Sequence, residues 1–216
     1  IEFPTIALVV SGGHTDLVFI KNHQDIVWLG GTRDDAAGEA FDKTGRLLNL
    51  PYPGGPYIEK EGLGVTNDLY NFPRPMINSN DFDFSFSGVK TAVLREVEKI
   101  GQGNLSKNDI KNLSYSLQNA IFDVIIKKTI KACKNYNARS LVLGGGVAAN
   151  LTLHERLKNA VEKDGLNLEL FIPSKSLCTD NAAMVAAAGG LQNTQVSWRD
   201  IHADPDLYFR SPVQNL

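Results

Sequence analysis

Cysteine, methionine and tryptophan each occur only twice among the 216 residues. Two cysteines, Cys133 and Cys178, lie far apart and without metal-type spacing, which excludes a disulfide framework and a thiolate-built metal cluster. A reducing, cytosol-like setting follows, so cytoplasmic localisation is expected. No apolar run approaches the roughly 18 residues of a membrane helix. The opening IEFPTIALVVSGG lacks the basic start and cleavage site of a signal peptide, and no membrane partner is expected. Neither sign of charge prevails: 22 Lys and Arg stand against 24 Asp and Glu, for a net charge of -2. That excludes a global basic field, so any nucleic-acid contact must come from a local patch. The zinc-protease helix H-E-x-x-H is missing, as are repeats and low-complexity segments.

What is present is ordinary globular material, with 43% hydrophobic and 21% charged residues, enough for about one or two domains. The chain opens on Ile1 directly into a strand, which suggests part of a longer polypeptide. Residues 5–31 alternate TIALVVSGG, TDLVFIK and DIVWLGG, β-rich runs broken by glycine that predict an antiparallel meander. Over residues 35–50 the spacing becomes helical, with Asp34 or Asp35 as the expected cap. YPGGPYIEK turns into a further helix, and residues 64–83 form an irregular excursion. Helices are predicted over residues 85–100 and 107–136, the second with a stripe of Leu117, Ala120, Ile121, Val124 and Ile125. A buried strand RSLVLGGG, a helix to about Val161, a strand NLELFI and a helix after Thr179 complete one compact α/β unit.

Four constellations could carry chemistry. VVSGGHTDLVF places Ser11, Gly12 and Gly13 in a turn between strands, either a plain hairpin or a cradle of amides for phosphate oxygens, with His14 beside it. DDAAGEAFDK sets Asp35, Glu39 and Asp42 at i, i+4 and i+7 on one helix face, where like charges repel. A hydroxyl-rich ligand, a cation or plain solvation near the helix start would relieve this. LVLGGGVAANLTLHERL satisfies G-x-G-x-x-G/A, but NLELFIP ends without the acid that a dinucleotide site places on the ribose. What survives is close approach of backbone to a ligand at a helix start, with Asn150 one turn in, or simply close strand-to-helix packing. In SLCTDNAAMVAAAGG, Thr179, Asp180 or Asn181 could cap a helix of small residues. Asp180 could instead hold a metal or ligand, and the small residues imply that something packs close.

Taken together, VSGGHT, DDAAGEAFDK, LPYPGGP, FSFSGVKTA, GGGVAAN and CTDNAAM resemble the signature series of the TsaD/Gcp family, tRNA threonylcarbamoyltransferases once described as O-sialoglycoprotein endopeptidases. The SGGHT form resembles the bacterial and organellar branch. The resemblance implies an α/β, actin/hexokinase/Hsp70-like (ASKHA) fold. Within it, residues 1–216 would be the C-terminal lobe of a two-lobed protein, with a helical insertion at about residues 64–136. It implies passage of the threonylcarbamoyl group of threonylcarbamoyl-adenylate to the exocyclic amine of the adenosine beside the anticodon, in tRNAs reading ANN codons, with release of AMP. Carried over residue by residue, Val9, Val10, Ser11, Gly12 and Gly13, with His14 adjoining, face the phosphate and acyl part of the adenylate. Asp42 and Gly55 hold the ribose, and Asn150 the adenine side. Asp180 matches a carboxylate ligand of one divalent metal, iron or zinc. The family's two histidine ligands, H-x-x-x-H, fall upstream of the position corresponding to Ile1.

The adenylate is a mixed anhydride, already activated, so the protein must orient it, polarise its carbonyl and stabilise the leaving phosphate. The attacking amine must lose a proton, to His14 or to an oxygen held by the metal. tRNA is the expected macromolecular partner. Lys127, Lys128, Lys131, Lys134 and Arg139 offer a local basic surface, unless they are a solvated face, and Lys90 of FSFSGVKTA has no assigned task. The family further implies a TsaB-like paralogue and a TsaE-like ATPase as bacterial partners, or an organellar homodimer. The alternatives are a non-catalytic nucleotide-binding fragment or scaffold subunit of the same complex, and a sugar kinase of the same fold, whose signatures the six blocks do not match.

Overall fold

A computed structural model describes residues 1–192 and 195–204. Three β-rich runs form the expected meander: β1 (Thr5–Val10), β2 (Thr15–Asn22) and β3 (Asp25–Gly31). β1 pairs antiparallel with β2 and β2 antiparallel with β3, with an irregular register between Leu17 and Val18. The free edge of β1 then takes β4 (Ser140–Gly144) in parallel, and β4 takes the short β5 (Glu169–Phe171), giving the order β3-β2-β1-β4-β5. β1 is therefore central, and Ile6, Leu8 and Val10 are wholly buried.

Helices α1 (Ala37–Leu47), α2 (Gly54–Gly62), α3 (Ser87–Ile100), α4 (Lys107–Asn135), α5 (Leu151–Lys163) and α6 (Ala182–Gln192) follow the expected order. α4 opens on a capping box, in which the Ser106 hydroxyl accepts from the Asp109 amide and the Asp109 carboxylate accepts from the Ser106 amide. The stripe of Leu117, Ala120, Ile121, Val124 and Ile125 is fully buried, and Leu113, Phe122 and Ala132 extend burial to further faces. α4 thus sits inside the single hydrophobic cluster that joins it to the sheet and to α1, α2, α3 and α5.

The excursion 64–83 is irregular in backbone but tethered at several points. Thr32 and Phe84 form an isolated bridge beside the end of β3. Arg74 bonds Asp68 at 2.7 Å and Asp123 of α4 at 3.0 Å, and it also meets the Phe72 carbonyl.

The cap expected from Asp34 or Asp35 is not formed. α1 starts after Ala36, which has no side-chain cap, and the Thr15 hydroxyl of β2 accepts from the Ala37 amide at 2.9 Å instead. Asp34 turns to the start of α3, accepting from the Phe86 amide at 2.8 Å and the Ser85 hydroxyl at 2.6 Å. A tertiary contact has replaced the local one. α6 departs further: residues 182–191 are all exposed, so nothing among the described residues packs closely on its small side chains.

Candidate functional site

β1 and β4 run parallel side by side, so the turns that leave their C-terminal ends meet. Such ends are where open α/β sheets place ligands. The two turns touch through glycine: Gly145 has φ +94°, and a Cβ there would lie 2.3 Å from the Val10 carbonyl oxygen. Gly38, near the start of α1, donates its amide to the Ser11 carbonyl at 3.1 Å, and a Cβ on it would lie 2.5 Å from that oxygen. Only glycine allows three backbones to converge this closely.

The 11–14 turn is closed on itself. The Ser11 amide donates to the His14 carbonyl at 2.8 Å, while the Ser11 hydroxyl oxygen accepts from the Gly13 amide at 3.3 Å and the His14 amide at 3.0 Å. Gly12, Gly13 and His14 are exposed. Val10 is buried in the ladder, and Val9 is half-buried there.

Beside these turns lies a cleft of about 550 Å³ that brings Gly12, Asp42, Gly55 and Asn150 together from four separate stretches of chain. The Asp42 carboxylate stands on the second half of α1 and accepts from the Gly54 amide at 2.7 Å. It caps α2, whose own N-cap, Pro53, has no side chain to do so. Asn150 is not one turn into a helix. Gly146–Ala149 forms a short 3-10 turn, and Asn150 is the N-cap of α5, its Oδ1 accepting from the Leu153 amide at 3.0 Å and its Nδ2 donating to Gln118 at 3.4 Å.

Asp180 does not line the cleft, although its neighbour Thr179 does. Nor is it the helix cap, because Asn181 accepts from the Met184 amide at 3.0 Å. Asp180 is exposed, and among the described residues no three His, Cys, Asp or Glu side chains converge on a common point.

The acidic face on α1 divides its labour. Asp35 is tied to Lys43 at 2.5 Å and Lys90 at 3.4 Å, and Glu39 to Lys43 at 2.9 Å. The compensating cations are lysines of the chain itself, which gives Lys90 its task. Burial pushes the Asp35 carboxyl up, but the hydrogen bond and charge of Lys43, with Lys90, outweigh it and hold the group below its ordinary value. Only Asp42 of the three acids reaches the cleft. Both thiols are buried, and burial pushes Cys133 up to about 12, so neither offers a nucleophile.

Lining residues that motif reading passed over include Tyr52, Lys175 and Glu59. Glu59 stands one helical turn after Gly55, and its carboxylate accepts from the Leu151 amide at 2.7 Å, bracing α2 against the start of α5. Its spacing from Gly55 was the available signal.

A family model for TsaD, tRNA N6-adenosine threonylcarbamoyltransferase, matches residues 1–187. The chain belongs to the TsaD family. A relative of that name from Staphylococcus saprophyticus is 48% identical over 189 residues, 88% of this chain and 54% of its own length. One from Persephonella marina is 51% identical, over 88% and 53%, and one from Halalkalibacterium halodurans is 44% identical, over 96% and 60%. The TsaD-family chain described here therefore spans about half the length of the curated relatives it matches. The crystal structure of HypF from T. kodakarensis superposes with a TM-score of 0.61 at 16% identity, covering 87% of this chain and 34% of that one. That likeness bears on the mixed α/β fold alone.

Proposed function

We propose that this chain is the C-terminal lobe of an actin/hexokinase/Hsp70-like tRNA threonylcarbamoyltransferase, with its helical insertion over about residues 64–136, working in the cytoplasm or, in a eukaryote, an organelle. The protein passes the threonylcarbamoyl group of threonylcarbamoyl-adenylate to the adenosine beside the anticodon of tRNAs reading ANN codons and releases AMP. The observation that carries this reading is the convergence of Gly12, Asp42, Gly55 and Asn150 on one cleft at the ends of two parallel strands.

In that cleft Asp42 and the start of α2 take the ribose, with Gly55 leaving room for it. Asn150 retains an amide hydrogen and a lone pair beyond its capping bonds, enough for the adenine side. The Ser11 oxygen marks where an anionic oxygen would sit, since it already accepts from two successive amides in the manner of an anion nest. A phosphate taking that place would draw the Gly13 and His14 amides onto the leaving group, and the exposed His14 ring is the proposed proton acceptor for the attacking amine.

Asp180 is proposed as one donor to a divalent metal, iron or zinc. A lone exposed carboxylate does not build a metal centre, so no step here runs through a metal. A second reading, a nucleotide-binding scaffold of the same modification complex, would use the same cleft. A TsaB-like paralogue and a TsaE-like ATPase, or a second copy of the chain, complete the proposed assembly.

The test supplies adenylate and tRNA to the complete two-lobed protein, with and without those partners, and reads AMP release together with threonylcarbamoyladenosine after nuclease digestion. Product that disappears in Asp180→Ala is expected for the enzyme. A melting temperature raised by AMP without any product would establish the scaffold instead.

A further inference from the structure

The structure divides the lysine face of α4. Lys128 is buried, and its ammonium donates to the Ser79 hydroxyl at 2.7 Å and the Asp81 carboxylate at 3.1 Å, which removes it from any surface. The other lysines line a groove of about 630 Å³ between the second half of α4 and α5. Its walls carry Lys127, Lys131 and Lys134 from α4, and Arg156 and Lys163 from α5. Without Lys128, five cations face two acids, Asp123 and Asp164, a balance of +3 in a chain whose net charge is -2.

Pairing within the groove leaves most of that charge standing. Lys134 meets Asp164 at 2.9 Å, whereas Arg156 shares Asp123 with Arg74. Lys127 donates to the neutral amide oxygen of Asn78 at 2.8 Å, and Lys131 to the carbonyls of Ser79 and Asn80. Neutral acceptors fix an ammonium without cancelling it. Lys163 has no ion partner among the described residues.

Position links the groove to the cleft. α5 is capped by Asn150 at the cleft and ends at Lys163 in the groove, a run of about 20 Å at 1.5 Å per residue. The walls decide between kinds of polyanion. Cations stand on both of them, Lys127, Lys131 and Lys134 on one and Arg156 and Lys163 on the other, a spread of charge that suits successive backbone phosphates, above a floor of Ile77, Ile126, Ile130 and Ala160. We propose that this groove docks RNA phosphates, holding the tRNA about 10 to 20 Å from the cleft along α5. The proposal rests on the tRNA reading above and adds the surface that positions the substrate.

Three exposed groove lysines can be neutralised without disturbing the core: Lys127→Gln, Lys134→Gln and Lys163→Gln together. The control removes the same charge elsewhere, in Lys21→Gln, Lys99→Gln and Lys107→Gln. The groove variant should bind tRNA about tenfold more weakly near 0.15 M salt, and its slope of log affinity against log salt should fall by about 2. The control should change affinity less than about twofold. Equal losses in both triples would reduce the effect to net charge and overturn the proposal, as would unaltered binding by the groove triple. Loss of binding to poly-glutamate with tRNA binding intact would assign the groove to a protein and overturn it too. Failure of the unsubstituted protein to bind tRNA at all would overturn the tRNA reading along with it.

Discussion

The acids of α1 and the lysines of α4 are the same kind of object in sequence, runs of one charge at helical spacing, and the fold treats them differently. On α1 the run is resolved within the helix and its neighbour: Lys43 takes Asp35 and Glu39, Lys90 reaches Asp35 from α3, and Asp42 is left to the cleft. On α4 the run is resolved by depth. Lys128 is buried against Asp81, Lys131 is wired to carbonyls of the excursion, and Lys127 and Lys134 remain outside. A charge therefore becomes available for function when its own helix and the segment crossing it leave it over.

The largest way to break this contrast is to truncate the two adjacent lysines of α4 separately. Lys128→Ala should destabilise by about 3 kcal/mol, because it removes a buried ammonium and leaves the part-buried Ser79 and Asp81 oxygens without that donor. Lys127→Ala should stay within about 0.5 kcal/mol. Urea unfolding midpoints of the two variants give the comparison directly, and equal shifts would show that depth is not what separates them.

Much of this was legible beforehand, and the limits have physical causes. Helices α3 and α4 lie within a residue or two of their expected bounds because the apolar period marks both, and a local capping box at Ser106 and Asp109 starts α4. The start of α1 is not legible locally, because its cap, Thr15, lies 22 residues away on another strand. The cleft residues Gly12, Asp42, Gly55 and Asn150 were named from motifs, but their meeting depends on β1 and β4 lying parallel, which only the sheet order reveals. Val9 and Val10 end the strand that leads into the turn, as VVSGGHT implies. The small residues after Asp180 imply close company at the mouth of a helix, whereas Asp180 stands exposed with Asn181 as the cap.

A smaller effect sharpens the α1 side. Asp35→Ala should cost about 1 to 2 kcal/mol at neutral pH, since Lys43 and Lys90 lose a largely buried partner. Because the folded carboxyl lies below the unfolded value of 3.8, its contribution is fully present above that pH and is lost as pH falls through the depressed folded value. The stability gap between the unsubstituted protein and Asp35→Ala should therefore close on acidification, as read by thermal unfolding at stepwise lower pH. A gap that persisted in strong acid would mean that Asp35 acts by packing rather than by charge.

The smallest stability effect, and the most selective functional one, belongs to the acid left over. Asp42→Asn keeps an oxygen able to accept from the Gly54 amide, so α2 stays capped and the folded protein should lose less than about 1 kcal/mol. In the proposed ribose site it would lose the charge that strengthens bonds from the hydroxyls, about tenfold or more in affinity if two such bonds weaken. AMP should raise the melting temperature of the unsubstituted protein and of Asp35→Ala, but raise that of Asp42→Asn far less at the same concentration. If Asp35→Ala and Asp42→Asn lost the AMP response together, the two acids would be acting as one unit and the division of the α1 face would be wrong. Retention of the full response by Asp42→Asn would confine Asp42 to capping α2.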